Sequence, residues 1–336
     1  MAEPEFRVAV LGTGAIAQVV HLPVLSSMDG VKIHAVCDYD QPRAQAIANR
    51  FGVPRAPATD DEVFNDPDVQ GVIICTPNHL HESQAIAALE AGKHVLVEKP
   101  LALSADGARR VVEAAERAGR GLMVALNNRY RPDAAALRPF IQGGEMGRLF
   151  YVKGGWLNRK VRTLRPTWRH RRATAGGGAL MDLGVQVLDL ALWMLDYPTV
   201  ERIVAHASPG DGMEVEDSAA VMMSVKDGPT VAIEVTWNYL SQRDRHFFQV
   251  LGTHGSAALP PLTVFKEVEQ GLLDVSPHVP AGRENIYTAS YRAELEIFAA
   301  LGRGETEVPL PWDQIELMRL ISVAYQSIEE RREIVL

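Results

Sequence analysis

The chain has 336 residues, 47% hydrophobic and 23% charged, with 42 acidic against 34 basic side chains and a net charge of −8. That length allows two domains with a sizeable core, and the acidic balance argues against general binding to nucleic acid or a membrane surface. No apolar run is read as long enough to span a bilayer, and the acidic start MAEPEF lacks the basic and apolar regions of a signal peptide. Cys37 and Cys75 lack zinc-ligand spacing and fit small buried residues of a reducing, cytoplasmic compartment, and no metal site is expected.

Phe6 to Leu11 is a short apolar run that predicts a strand, and Gly12-Thr13-Gly14-Ala15-Ile16-Ala17 after it fits G-x-G-x-x-G/A. In a strand–turn–helix setting the first glycine makes a tight turn, the second admits a pyrophosphate, and the small sixth residue lets helix pack on strand. A helix from Ala15 to Met28 would present its free N–H groups to the phosphates. Val31 to Cys37 predicts a second strand, closed by Asp38, 24 positions after Gly14. A carboxylate there suits the adenosine ribose hydroxyls and repels a 2′-phosphate, which favours NAD over NADP; the competing reading is a turn aspartate opening the helix Gln41 to Phe51. Gly71 to Cys75 reads as a central parallel strand. It stops at Thr76-Pro77-Asn78-His79-Leu80-His81, where Thr76, Asn78 and His81 are candidate cofactor contacts or, for the first two, helix-capping residues. A helix from His79 to Ala91, a strand from His94 to Val97, a helix from Ser104 to Gly119 and a strand from Gly121 to Leu126 complete a doubly wound pattern. Lys99 follows the fourth strand at the end where ligands gather, before Pro100. Partial desolvation there would lower its pKa and suit it to proton transfer, whereas most lysines are solvated surface charges.

The periodicity changes after Leu126. A polar segment from Asn127 leads into a helix, and Leu149 to Trp156 reads as a strand. Asn158 to Arg172 then carries seven Lys or Arg, with His170, and no acid. Two readings stand: a solvated or internally paired arginine-rich loop, or a wall for anionic groups with Trp168 as a stacking face. Gly176-Gly177-Gly178 precedes a helix over Ala179 to Leu195, where Asp182 and Gln186 at four apart share a face and Asp189 lies near it. These polar groups form either a wall of the active site or a structural network anchoring the basic loop. Strands over Arg202–Ala207, Asp217–Val225, Thr230–Tyr239 and Arg245–Leu251 predict an antiparallel sheet with one apolar face. Pro260 to Asn285 reads as loops with short strands, followed by helices over Tyr291–Leu301 and Trp312–Glu330 and a short final strand within Arg332–Leu336.

The glycine loop, Thr76-Pro77-Asn78-His79-Leu80-His81, Glu98-Lys99-Pro100 and Gly176-Gly177-Gly178-Ala179-Leu180-Met181-Asp182-Leu183-Gly184 together resemble the signature of the GFO/IDH/MocA oxidoreductases. The resemblance implies a Rossmann doubly wound parallel sheet over residues 1–126. It implies an α+β domain over 127–336 with a large, open, mostly antiparallel sheet through which subunits form homodimers or homotetramers. It matches Lys99 to the family's active-site lysine and Asp182 to the aspartate of its catalytic helix. Where the family carries Asp-x-Gly-x-His-x-x-Asp, this chain has Gln186 in place of the histidine. An amide can orient a substrate by hydrogen bonding but cannot exchange a proton near neutral pH.

The expected cofactor is NAD, contacted by Gly12, Thr13, Gly14, Ala15, Ile16, Asp38, Thr76, Pro77, Asn78, His81, Glu98, Lys99 and Asn127. The expected catalytic set is Lys99, Asp182 and Gln186, with Trp156, Arg159, Trp168 and Arg169 as further substrate contacts, Arg169 taking an anionic group. The expected reaction moves a hydride between nicotinamide and a carbinol or carbonyl of a sugar, cyclitol or sugar-acid derivative, with Lys99 handling the proton. Because of Gln186, two alternatives stand beside it: a non-catalytic dinucleotide or sugar sensor, and a redox-neutral NAD-using enzyme.

Overall fold

A computed structural model describes residues 5–160, 167–279 and 284–336, which fall into two compact units. One comprises Met1–Asn127 with Glu284–Met318, the other Asn128–Arg283 with Arg319–Leu336, so the chain passes between units more often than one division at 126/127 describes.

The first unit is built on five parallel strands, β1 (Phe6–Leu11), β2 (Val31–Cys37), β3 (Gly71–Ile74), β4 (His94–Glu98) and β5 (Leu122–Ala125), in the order β2-β1-β3-β4-β5. Every residue of β3 and β5 is buried, as expected of strands covered on both faces. The order reverses at β1 and β3, so the crevice beyond their carboxyl ends is where such a sheet takes a ligand. The helices start where their caps dictate. The Asp40 side chain accepts from the Arg43 amide at the head of Gln41–Phe51, and Ser104 from the Gly107 amide at the head of Ala105–Ala118. A short helix over Asp60–Phe64, capped by Thr59, has no counterpart in the sequence reading. The helix Ile286–Gly302 belongs to this unit and sets Phe298 edge-on against Phe6, ring centroids 5.6 Å apart.

Among the described residues the second unit carries nine further strands: β6 (Leu149–Arg159), β7 (Val200–Pro209), β8 (Glu216–Val225), β9 (Thr230–Tyr239), β10 (Arg245–Gly252), β11 (Gly255–Leu259), β12 (Thr263–Val268), β13 (Gly271–Asp274) and β14 (Ile334–Val335). They form one sheet in the order β13-β12-β11-β10-β6-β9-β8-β7-β14, antiparallel throughout except for the central β6–β9 pair. Val152, Val221, Val231 and Val250 fill its buried face, which the helix Val185–Met194 covers. The helix comes close because Gly154 has no side chain: a Cβ there would lie 2.8 Å from Val187 Cγ1. The expected absence of a long apolar run needs correction. The helical stretch Arg172–Met194 is apolar and long enough to cross a membrane by length and composition, and 89% of its apolar window is buried inside the protein. It is the core helix of this unit.

Candidate active site

In the first unit the glycine loop leaves β1 with Gly12 at φ +85°, a conformation open to glycine. A Cβ at Gly12 would lie 2.7 Å from the Cys75 carbonyl, so the loop presses against the end of β3. Gly14, by contrast, has nothing within 4 Å of where a Cβ would stand. Its face is open immediately before the helix that begins at Ala15 and continues to Leu25 through a wide turn over Ala17–His21. Thr13 is fully buried, and its amide and hydroxyl both donate to Asp38 Oδ2, at 2.7 and 2.9 Å. The other oxygen accepts from the Asp40 amide at 3.0 Å and the Arg43 guanidinium at 2.6 Å. Burial opposes the Asp38 charge, but the Asp40 and Thr13 amides and Arg43 outweigh it and hold its pKa below the usual carboxylate range. Asp38 therefore braces the glycine loop from the end of β2, with a cation beside it.

The turns after β3 and β4 are tied together. His81 is buried, with Nδ1 2.7 Å from the Pro100 carbonyl oxygen and Nε2 2.9 Å from that of Thr76. Both ring nitrogens thus face backbone. Thr76 donates through Oγ1 to Gln84, and Asn78 is buried in the first turn of the helix Asn78–Glu90, for which Pro77 is the cap position. Lys99 is half-buried directly after β4. Asn127 is buried and donates through Nδ2 to Ser290 at 2.9 Å, while its Oδ1 has no hydrogen-bond partner among the described residues. An open glycine face at a helix start, together with a buried acceptor awaiting a donor, fits a dinucleotide bound along this edge.

Glu98 is buried and reaches back to His21, with Oε1 2.8 Å from Nε2. Burial disfavours charge on His21, yet Cys75 and Glu98 outweigh it and raise its pKa well above the ordinary value. Since burial keeps the Cys75 thiol neutral by pushing its pKa up, the lasting partner is the Glu98 carboxylate. Burial likewise opposes the Glu98 charge, and its hydrogen bond to His21 brings the pKa down instead. The sign of the linkage follows from these directions. The Glu98 contribution is present above the unfolded value of about 4.5 and is lost on acidification. The His21 contribution is complete below about 6.5 and is lost as pH rises through its folded value. The melting temperature of the cofactor-free protein is therefore expected to fall as pH rises above about 6.5, and Glu98→Gln to flatten that slope while costing about 3 kcal/mol. Parallel melting curves for the two proteins across pH 6 to 9 would refute the pairing.

In the second unit a cleft of about 590 Å3 is lined by Arg159, Lys160, Arg169, His170, Asp182 and Trp237, among others. Asp182 reaches it from a wide helical turn over Leu180–Gly184, which precedes the regular helix Val185–Met194. The turn changes the register on which the four-residue spacing relied. Asp182 is half-buried at the cleft, and Gln186 is buried and outside its lining. The head of this helical segment is fixed by Glu216, whose Oε1 accepts from the amides of Gly178 and Leu180 and from the Tyr325 hydroxyl, at 2.9, 3.0 and 2.9 Å. The triple glycine is needed here: a Cβ on Gly178 would strike the Glu216 carbonyl, and one on Gly177 the Tyr325 ring. Asp189 is fully buried and pairs with Arg129 and the Tyr197 hydroxyl, so it is a structural anchor tied to Arg129 instead of the basic loop.

Of the expected substrate contacts, Arg159, Arg169 and Asp182 share the cleft. Trp168 stacks beneath the Arg169 guanidinium at 4.4 Å and does not line it. Trp156 donates to Asn158 at 2.7 Å, packs on His246, and lines a separate, smaller hollow. Positions 161–166 of the basic stretch lie outside the described residues. Sequence reasoning missed Trp237, whose Nε1 donates to Asp182 at 3.1 Å, and Asp217 with Asn238, bonded to each other at 3.2 Å. All three come from β8 and β9 and carry no local motif.

Residues 6–126 match a family model described as an oxidoreductase family with an NAD-binding Rossmann fold, and residues 134–258 match the C-terminal domain model of the same family. An uncharacterized oxidoreductase of Rhizobium meliloti is 32% identical over 333 residues, covering 96% of this chain and 97% of that one. The D-glucoside 3-dehydrogenase of Escherichia coli (strain K12) is 27% identical over 353 residues, covering 98% and 97%. Among solved structures, GenD2 from gentamicin A biosynthesis in complex with NAD superposes with a TM-score of 0.86 at 27% identity, covering 100% of this chain and 97% of that one.

Proposed function

The chain belongs to the GFO/IDH/MocA oxidoreductase family, and on that premise we propose that it is an NAD-dependent dehydrogenase acting on a carbinol of a sugar or cyclitol. The observation that carries this reading is the glycine loop at the end of β1, with the Gly14 face open and Thr13 locked to Asp38. Gly12 to Ile16, Asp38, Thr76, Pro77, Asn78, Glu98 and Asn127 hold or frame the dinucleotide, and His81 fixes the turn that presents Lys99. Bound nicotinamide supplies the hydride acceptor or donor. Lys99 Nζ takes the hydroxyl proton in oxidation and returns it in reduction. Asp182, oriented by the Trp237 indole, accepts a hydrogen bond from a substrate hydroxyl. Gln186 supports the helix and exchanges no proton, since an amide has none to exchange near neutral pH. NAD is preferred to NADP because a carboxylate at the end of β2, the place of Asp38, suits the ribose hydroxyls and repels a 2′-phosphate.

Accumulation of reduced nicotinamide, followed by its absorbance with NAD and a panel of sugars, glycosides and inositols, tests the reading. Stoichiometric accumulation is expected. Gln186 favours two other outcomes enough to name them: turnover without accumulation means a redox-neutral reaction, and binding without turnover means a sensor. Two further parts of the proposal concern the whole protein. The outer face of the large sheet bears a groove of about 440 Å3 lined by Val204, Met222 and Phe247, with Met222 49% exposed, which supports self-association into a dimer or tetramer. Sedimentation of the wild-type chain as a monomer at micromolar concentration would exclude that. Two buried, unpaired cysteines support residence in the reducing cytoplasm.

A further inference from the structure

We infer that the sugar bound in the second unit's cleft carries an anionic substituent, a carboxylate or a phosphate, received by Arg169, Lys160 and the Nε2–H of His170. The inference rests on reading that cleft as the place where the sugar binds.

The Thr167 backbone amide donates to His170 Nδ1 at 2.8 Å. A backbone N–H only donates, so Nδ1 must present its lone pair. The ring's proton then sits on Nε2, and protonating Nδ1 would break the cap that closes the turn Trp168–His170. In that tautomer His170 offers its Nε2–H as a hydrogen-bond donor. It stands edge-on to the Trp237 ring, centroids 6.1 Å apart, on the same cleft as Asp182.

Beside it the cleft offers cations that the protein has not neutralised. Arg159, Lys160 and Arg169 have no ion-pair partner among the described residues. Three other arginines of this unit are matched to acids: Arg129 to Asp189, Arg131 to Asp133 and Arg172 to Glu329. The carboxylates of the cleft are Asp182, Asp211 and Asp217. Asp182 accepts from the Trp237 indole, and Asp217 from the Ser218 hydroxyl and the Asn238 amide, all neutral donors. The Arg169 guanidinium lies over the Trp168 ring, 4.4 Å from its centroid, a contact that favours its place beside the cleft. A hydroxyl that accepts from such a group must also donate somewhere, whereas an anionic oxygen only accepts. The donors that Arg169, Lys160 and His170 bring to the cleft favour the second, and the carboxylates of Asp182, Asp211 and Asp217 on the same cleft suit the hydroxyls of the same molecule.

The test compares matched pairs on the NAD-loaded enzyme: methyl β-D-glucuronide against methyl β-D-glucoside, and glucose 6-phosphate against glucose. The anionic member of at least one pair is expected to have the higher kcat/KM, by about tenfold, the size of one charge-assisted hydrogen bond. Arg169→Gln and His170→Asn should each reduce that ratio by about the same factor. The asparagine keeps an acceptor oxygen for the Thr167 amide and removes the Nε2 donor, so a collapsed turn and a lost contact are told apart by comparing it with His170→Ala. Which pair responds distinguishes a carboxylate from a phosphate. Equal or better turnover of both neutral members overturns the inference and leaves the dehydrogenase intact. If neither pair is turned over, calorimetric titration with the glucuronide and the sugar phosphate decides. Binding that is lost in Arg169→Gln upholds the anion site while the dehydrogenase reading falls, and no difference from the neutral sugars removes both.

Discussion

Lys99→Met is expected to lower kcat by at least about 1000-fold while NAD still binds, because methionine fills the same space without a proton to exchange. The residue stands directly after a strand buried at every position but its first, on a turn that His81 ties to its neighbour through two backbone carbonyls. The backbone that carries Lys99 is therefore set before any substrate arrives, and the substitution alters chemistry more than architecture. Two measurements separate those effects: the fluorescence titration of NADH, which should be unchanged, and single-turnover hydride transfer, which should be nearly abolished. A variant that keeps wild-type turnover would remove Lys99 from the reaction altogether. One that loses turnover and NADH binding together would mark the residue as part of the cofactor site.

Asp38→Ser is expected to shift the ratio of kcat/KM with NADP to that with NAD upward by about 100-fold. The carboxylate accepts from two backbone amides, the Thr13 hydroxyl and Arg43, and its lowered pKa keeps it charged throughout the neutral range. Removing it does two things. The glycine loop loses a brace, which weakens both cofactors alike. The Arg43 guanidinium loses the nearer of its two carboxylates, keeping Asp40 at 3.7 Å, and becomes more available to a 2′-phosphate, which helps NADP alone. The ratio isolates the second effect. Should both cofactors weaken in step, Asp38 would be a brace for the loop with no part in choosing between them.

Much of the fold was legible because its signals are local. The glycine loop, the apolar run of β3, the Ser104 cap and the Gly119 stop each encode one element boundary in a few residues. The strands of the second sheet announced themselves by alternation, and the observed β7 to β10 follow those spans within a few residues. The wide turns over Ala17–His21 and Leu180–Gly184 left no such trace. An extra residue in one turn hardly disturbs an apolar pattern, yet it sends Asp182 to the cleft and Gln186 away from it. Trp237 and Glu216 were invisible for another reason. They act on a helix far away in sequence from strands where nothing marks them as more than sheet residues. His170 was named only as a companion of a basic run, and the Thr167 amide shows which of its nitrogens presents a lone pair.

The one parallel pairing in the large sheet has a kinetic consequence. Tyr151 of β6 registers with Thr230 of β9, about 80 positions later, and the segment between them contains the helix that carries Asp182. A hairpin would close quickly; this contact closes a long loop whose entropy is lost before any pairing compensates for it. The carboxylate at the cleft thus takes its place only with the seam at the middle of the sheet. Pulse-labelled amide exchange during refolding should protect residues 182–194 no earlier than β6 and β9, making the helix a late arrival.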